Sequence, residues 1–400
     1  MPPPLLLTSR HRLLPTMRAT AFDGLSSLID VVAEAAPVGH RFLRYHWYAS
    51  ALLAYGGRAR TIVVEDDGEA IAALPFIRFG PEPAALATVP GCYWPFRCFP
   101  ARQGINERGH VALLDGLARE VNALRIGPSY DGDAIVTPFV AAARARGWAV
   151  LDRFVADSYL LDLAAVRAGG AWPRPSTIKK NRFHEKHLAS HGALDWRFLE
   201  GAALAAGGFD QMAAVEEKSW IATSTDGRDA KFTRGGHGTF WRSLTGDPVL
   251  AAMLRTAMLA VGDAPAAFSF DMDVGPFSYA IANSYDPAFA KHSPGKLLYY
   301  RNLMRAIDRG IQTVDWGAGD SGYKRVIGAR KGPAIRDLLL LRPGMPAILG
   351  QALRALWRRS GNPDIRADPQ GEGSSESSSA SDTINPASPA PASMASINNL

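Results

Sequence analysis

Cysteine is nearly missing from this chain: Cys92 and Cys98 are the only two in 400 residues. That is too few for a disulfide framework, and neither has a second Cys or His at zinc-ligand spacing. No metal is expected, and a reducing cytosol is the simplest setting. Long apolar runs are missing as well. No segment has the roughly 18 uninterrupted apolar residues of a membrane span. The short N-terminal run in MPPPLLLTSRHRLLPTMRAT is broken by Arg10, His11 and Arg12 before a signal-peptide core forms. A cytoplasmic protein is expected, with peripheral attachment at the inner face of the membrane left open. Neither sign of charge dominates, since 44 Lys and Arg stand against 38 Asp and Glu for a net of +6. This suits an anionic ligand without the concentrated charge of a nucleic-acid binder, and an arginine-rich composition from a GC-rich genome gives the same sum.

What is present is a globular composition, 47% hydrophobic, sufficient for two or three packed domains. Residues 1–18 are expected to be disordered, with Met17 an alternative start. Residues 361–400 are expected to be disordered too, because a tail of Ser, Ala and Pro with few large apolar residues cannot offset its ordering entropy. Between these ends the pattern predicts an α/β fold of mixed α+β character in two similar halves. In residues 19–171, ARTIVVEDDGEAIAALPFIRF reads as a hairpin around EDDGE. An irregular aromatic loop follows, then a helix near VALLDGLAREVNAL, a strand at ALRIGP, a helix stopped by Gly147 and another strand. Residues 172–345 repeat this grammar with strand DWRFLE and helices over FDQMAAVEEKSW, FWRSLTG and PVLAAMLRTAML. A hairpin turned at Val274-Gly275-Pro276, helix SPGKLLYYRNLMRAIDRG closed by Gly310, and strands IQTVDWG and AIRDLLLLR complete it. An amphipathic helix is expected over 346–360.

Between the halves, WPRPSTIKKNRFHEKHLASH sets Arg174, Lys179, Lys180, Arg182 and Lys186 against one acid, Glu185, with Ser176 as the expected helix N-cap. The segment is either a solvated surface helix or a positive wall beside a cleft that attracts an anionic donor or acceptor.

The stretch TVDWGAGDSGYKR contains GDSG, the surroundings of the nucleophile in chymotrypsin-like proteases. The disulfide-bonded series of short strands that such proteases use is missing, as is the GxSxG elbow of the α/β-hydrolases. It also misses a P-loop, because Tyr323, Lys324 and Arg325 stand where Lys and a hydroxyl residue are required. A glycine-rich bend after a strand remains, and Ser321 is not expected to be a nucleophile. Just upstream, Ser293-Pro294-Gly295-Lys296 opens a helix whose apolar positions, Leu297 among them, fit an inward face. The amides of its first turn form a site for a pyrophosphate, with Gly295 admitting the phosphates and Lys296 adding charge.

This run, SYDPAFAKHSPGKLLYYRNLMRAIDRGIQTVDWGAGDSGYKRVIG, resembles the C-terminal signature of the CelD/BcsL-type acetyltransferases, GNAT proteins of bacterial exopolysaccharide and cell-envelope pathways. EEKSW, Glu216 to Trp220, matches a further element of that family. The resemblance implies a tandem-GNAT arrangement shared with the FemABX transferases, with mixed, largely antiparallel sheets flanked by helices and an acyl-CoA site in residues 172–345. It implies acetyl-CoA or another acyl-CoA as donor and a glycan or amine as acceptor. Association with an envelope-biosynthesis complex is compatible with it. The GNAT phosphate loop is present in the shortened form His292-Ser293-Pro294-Gly295-Lys296, and Ala282 and Asn283 belong to the strand that pairs with a pantetheine arm.

Among the remaining candidates, Asp315 either accepts a proton or holds a sugar hydroxyl, or else bonds the neighbouring glycine amides. Asp320 carries the same ambiguity. Lys324, by resemblance to the aromatic-Lys pair of FemABX proteins, neutralises a phosphate or a developing oxyanion, and Tyr323 packs its ring and lends a hydroxyl. Glu217 is a candidate base, and Trp220 is either core or a sugar-stacking platform. Asp271 and Asp273 share one strand face and either line the acceptor cleft or meet water. Lys180 and Arg182 contact the acceptor or, in a FemABX-like alternative, the tRNA of an aminoacyl donor. A non-catalytic glycan-binding protein is the third alternative.

Overall fold

The computed structural model describes residues 17–92, 97–170, 172–219, 222, 230–233, 235–320 and 322–360. The expectations for residues 1–16 and 361–400, and those for Trp220 and Ser321, lie outside the described residues. The strands are β1 (Met17–Asp23), β2 (Ala59–Asp66), β3 (Glu69–Phe79), β4 (Leu86–Thr88), β5 (Ala123–Tyr130), β6 (Ala149–Asp162), β7 (Leu194–Glu200), β8 (Leu254–Val261), β9 (Ala264–Val274), β10 (Phe277–Tyr285), β11 (Thr313–Ala318) and β12 (Arg330–Leu341). They form one mixed, mostly antiparallel sheet in the order β1-β2-β3-β4-β5-β12-β6-β11-β10-β9-β8-β7.

Two pairs are parallel, β4 with β5 and β10 with β11. A parallel pair needs a crossover, and helices Glu107–Ala118 and Pro294–Asp308 supply the two. Each set of five strands thus repeats the same pattern, but neither half is closed on itself. β12, the last strand among the described residues, lies between β5 and β6, and β6 in turn pairs with β11.

Local chemistry fixes the corners. Asp67 and Gly68 both take positive φ in the β2–β3 turn, the twist that a two-residue hairpin favours. The Asn106 side chain accepts from the Gly109 amide and so caps the first crossover helix. Gly275 turns β9 into β10 at φ 59, where a Cβ would stand 2.2 Å from Val38 Cγ1 of the first half.

One core runs through both halves. Trp47, on helix Tyr45–Tyr55, meets Phe240 at 4.8 Å and Trp241 at 6.0 Å on helix His237–Leu244. Arg125 of β5 and Asp337 of β12 form a buried two-pronged pair, Nε to Oδ1 at 3.1 Å and Nη2 to Oδ2 at 2.8 Å. Helix Ala347–Arg359 covers the far side of β12 with Leu353 and Trp357. Among the described residues, no helix is long and apolar enough to cross a membrane.

Two local expectations are corrected. The helix expected over PVLAAMLRTAML is confined to Pro248–Ala251, and Leu254–Val261 is β8, paired on both sides by β7 and β9. β8 is buried almost throughout, and an apolar run buried on both faces carries no period that separates strand from helix. Helix Pro175–Leu188 takes Arg174 as N-cap in place of Ser176, since Pro175 fits the first helical position, where its missing amide costs nothing.

Candidate active site

β10 and β11 pair over only three residues, Phe277–Tyr279 with Thr313–Asp315. Past that ladder β10 continues to Tyr285 and β11 to Ala318. A bulge between Ala280 and Ala282 throws Ile281 out of register with β9, which bends β10 away from its neighbour. The sheet therefore opens as a wedge with backbone on both sides, Ala282 and Asn283 on one and Trp316 to Ala318 on the other. Successive residues of a strand face opposite ways, so Asp315 and Trp316 look out on different faces at its apex.

On the Trp316 face, Gly317, Gly319 and Gly322 take φ of 69, 71 and 78, values open to glycine. The resulting bend starts a short helix, Tyr323–Ile327. The Tyr323 ring stacks on Tyr299 (6.0 Å, 26°) and meets Trp316 edge-on (5.7 Å, 84°). Its hydroxyl accepts from Asn283 Nδ2 at 3.0 Å, so the two residues bridge the wedge. Asp320 accepts from the Gly322 amide at 2.8 Å and pairs with Arg325, a turn-holding role.

Lys324 does not reach into the open cleft as its sequence position suggests. Its Nζ turns inward and donates to the carbonyls of Gly319 (2.6 Å), Ala318 (3.0 Å) and Gly317 (3.5 Å). A chain forced through left-handed turns aims these carbonyls at one point, and the buried ammonium fills it. Burial lowers Lys324 to about 8, against the opposing pull of Asp315 and Asp320.

On the other face, Asp315 accepts from the Tyr130 hydroxyl in a short bond and from the Gly317 amide at 2.8 Å. Burial raises it to about 6, and these two bonds together with Lys324 limit the rise. Tyr130 ends β5 of the first half, so this face is built from both halves. Tyr279 adds its hydroxyl, which donates to the Gly39 carbonyl at 3.1 Å, and nearby His40 Nε2 and Asp133 Oδ2 are 2.8 Å apart. Sequence reasoning missed Tyr130 because its partner is 185 residues away and no spacing marks it.

The loop after β10 leads directly to the helix start. Ser293 adopts a left-handed conformation at φ 52, and Pro294 takes the first position. The Leu297 amide bonds back to the Ser293 carbonyl at 3.1 Å, so the amides of residues 295 and 296 precede the first intrahelical bond. Gly295 lies against Tyr285, whose ring carbon would be 3.3 Å from an added Cβ. Leu297 itself packs inward with Leu298 against Leu259 and Ala267, anchoring the helix. His292 lies beside His191, and Lys296 and Lys180 are charged neighbours of His184.

The remaining candidates are spread more widely. Arg182 lines a groove of about 600 Å³ with Glu185, Lys186, Trp196 and Arg301, on the side of its helix away from the loop. Glu217 is exposed, whereas the neighbouring Glu216 is buried and accepts from the Lys231 and Phe232 amides. Asp271 is neither cleft-lining nor wet. It is buried beneath helix Pro294–Asp308, accepts from Asn302 Nδ2 at 2.6 Å and Ser269 Oγ at 3.3 Å, and is raised to about 7 by burial. Asp273 pairs with Arg309 and Arg255.

Residues 176–325 match the acetyltransferase (GNAT) domain family. The crystal structure of FemX superposes with a TM-score of 0.56 at 14% identity, over 84% of this chain and 99% of that one. A conserved protein of unknown function from Bacteroides thetaiotaomicron VPI-5482 gives a TM-score of 0.50 at 12% identity, over 80% of this chain and 99% of that one. No curated protein matches the chain. At such identities the likeness concerns fold alone. The chain thus has the fold of the GNAT acyltransferases, and its match to their family runs from residue 176 to residue 325.

Proposed function

We propose that the protein moves an acyl group, acetyl in the simplest case, from acyl-CoA to a hydroxyl or amine of a glycan, lipid-linked sugar or small-molecule acceptor. Exopolysaccharide or cell-envelope biosynthesis at the cytoplasmic side is the setting that the family resemblance favours. The observation that carries this reading is the wedge between β10 and β11, which opens on the strand that leads into the Ser293–Lys296 helix start. Backbone edges suited to an amide-bearing arm and a helix start suited to phosphates lie along one path.

The two faces divide the chemistry. Asp315, raised to about 6, is ionised at neutral pH and bonded to the Tyr130 hydroxyl. Tyr130 takes the acceptor's proton on its oxygen while passing its own to Asp315. Amides near the Ile281 bulge polarise the acyl carbonyl. Tyr323 gives its hydroxyl proton to the departing thiolate, and Lys324 keeps the bend that positions Tyr323. In this reading the first half is a structural partner that supplies Tyr130, and the second half binds the donor.

Thermal-shift screening against acetyl-CoA, longer acyl-CoAs and aminoacyl-tRNA tests the donor class. A ligand at roughly a hundredfold its dissociation constant stabilises by about 2.7 kcal/mol. No shift with any acyl-CoA sinks the reading. A salt-dependent shift with aminoacyl-tRNA instead supports a FemX-like transferase. That second reading is favoured by the exposed basic positions Arg174, Lys179, Lys180, Arg182 and Lys186.

A further inference from the structure

Helix Pro175–Leu188 has 14 residues, and Leu188 alone among them is buried. Its outer side carries a patch that helical spacing draws together. Lys179 stands four residues before Phe183 and Lys186 three after it, and Arg182 adjoins all of them, so three cations surround one phenyl ring. Phe183 is 61% exposed and leans on the rings of His187 (4.3 Å, 63°) and His184 (5.8 Å, 78°). Ile178, also exposed, flanks the cations from the turn before Arg182. Arg182 and Lys186 border the groove that reaches Trp196. Glu185, the acid of this helix, is engaged by Arg301 at 2.7 Å, whereas Lys179, Arg182 and Lys186 enter no ion pair among the described residues.

A single exposed apolar side chain needs no explanation. Here two large ones flank a cluster of cations on a helix that buries almost nothing. A protein partner matches this patch poorly, because lysine is depleted where interfaces close. A second copy of the chain would set like charges against each other. RNA phosphates would satisfy the cations and a base could stack on Phe183, but Ile178 offers no π face. An anionic bilayer uses every component. Its phosphates meet the cations, while ring and aliphatic chain enter the boundary between headgroups and acyl tails.

We propose that helix Pro175–Leu188 is a docking surface for an anionic phospholipid bilayer, with Lys179, Arg182 and Lys186 on the headgroups and Phe183 and Ile178 dipping between them. Phe183 is linked through the His187 ring to His292 (6.3 Å, 17°), the residue before the Ser293 helix start. Docking therefore carries that helix start close to the lipid surface. Resting on the acyl-transfer reading above, this favours the lipid-linked sugar among the acceptors.

Flotation of the full chain over a range of lipid concentrations, at fixed ionic strength and with neither donor nor acceptor present, tests the surface. One set of vesicles is phosphatidylcholine alone, and the other is equal parts phosphatidylcholine and phosphatidylglycerol. Wild type should float with the mixed vesicles and stay behind with the neutral ones. Lys179→Gln/Arg182→Gln/Lys186→Gln should weaken binding by about a hundredfold, and Phe183→Ser by about tenfold, whereas Phe183→Trp should bind as wild type does. All four positions are exposed, so the melting temperatures should stay unchanged. No flotation of wild type, equal flotation with neutral vesicles, full binding by the triple variant or by Phe183→Ser, or equal loss in Phe183→Trp each overturns the proposal. Salt-dependent binding of tRNA by a chain that ignores both kinds of vesicle gives the patch to RNA instead. None of these results touches the acyl-transfer reading, which fails on its own test, the lack of a thermal shift with acyl-CoA.

Discussion

Tyr323 and Asp315 face away from each other across the apex of the wedge, and each has a distinct consequence when changed. Tyr323→Phe removes the hydroxyl that Asn283 reaches and keeps the ring against Tyr299 and Trp316. Turnover should fall about a hundredfold or more with little change in melting temperature, as steady-state kinetics beside a thermal scan will show. Lys324→Ala should behave differently, since its ammonium satisfies three carbonyls of the bend, that of Gly317 buried and those of Ala318 and Gly319 partly so. A loss of about 1–3 kcal/mol in urea unfolding is expected, and any loss of activity follows from the slackened bend. Asp271 lies under helix Pro294–Asp308 and is raised by burial to about 7, above a free carboxyl. The native state therefore binds this proton more tightly than the unfolded chain, and its stabilising contribution is lost as pH rises from about 4 through 7. Asp271→Asn should flatten that part of the stability profile. Parallel profiles for the two proteins would contradict the assignment.

At the scale of elements, most of the architecture was legible because its signals are local. The EDDGE turn, the Val274-Gly275-Pro276 turn, the SPGK helix start and the glycine bend after β11 each force a backbone geometry that nearby residues declare. β8 was not legible, because burial on both faces erases its period. Nor was the Tyr130 bond to Asp315, which exists only once β5, β12, β6 and β11 lie side by side. Lys324 was misplaced for a related reason: sequence shows a lysine beside a tyrosine, and only the left-handed turns decide which of the two faces inward. Gly295→Glu tests the helix start itself. The atoms nearest its Cβ belong to the Tyr285 side chain, the closest at 3.3 Å, so a small shift of that ring should let the fold survive while the added carboxylate repels phosphate.

For the whole molecule, the exchange of β12 into the first half makes the two halves depend on each other. The Arg125–Asp337 pair is buried at that junction, and Asp337→Ala leaves the arginine without its counter-charge. Urea unfolding should show a loss of about 3–5 kcal/mol, and a near-neutral result would mean that the strand is held without the pair. The repeated strand pattern does not imply two donor sites. Glu107 occupies the first turn of the crossover helix in the first half, whereas the first turn of helix Pro294–Asp308 has no acid, and an acid there disfavours phosphate. The central claim is therefore one acyl-CoA per chain at the wedge and helix start of the second half. Calorimetric titration of acetyl-CoA into wild type and Gly295→Glu tests it most directly. The account predicts one molecule bound per wild-type chain and none to a variant that melts at the wild-type temperature. Equal binding by both proteins, or no binding to wild type, would contradict it.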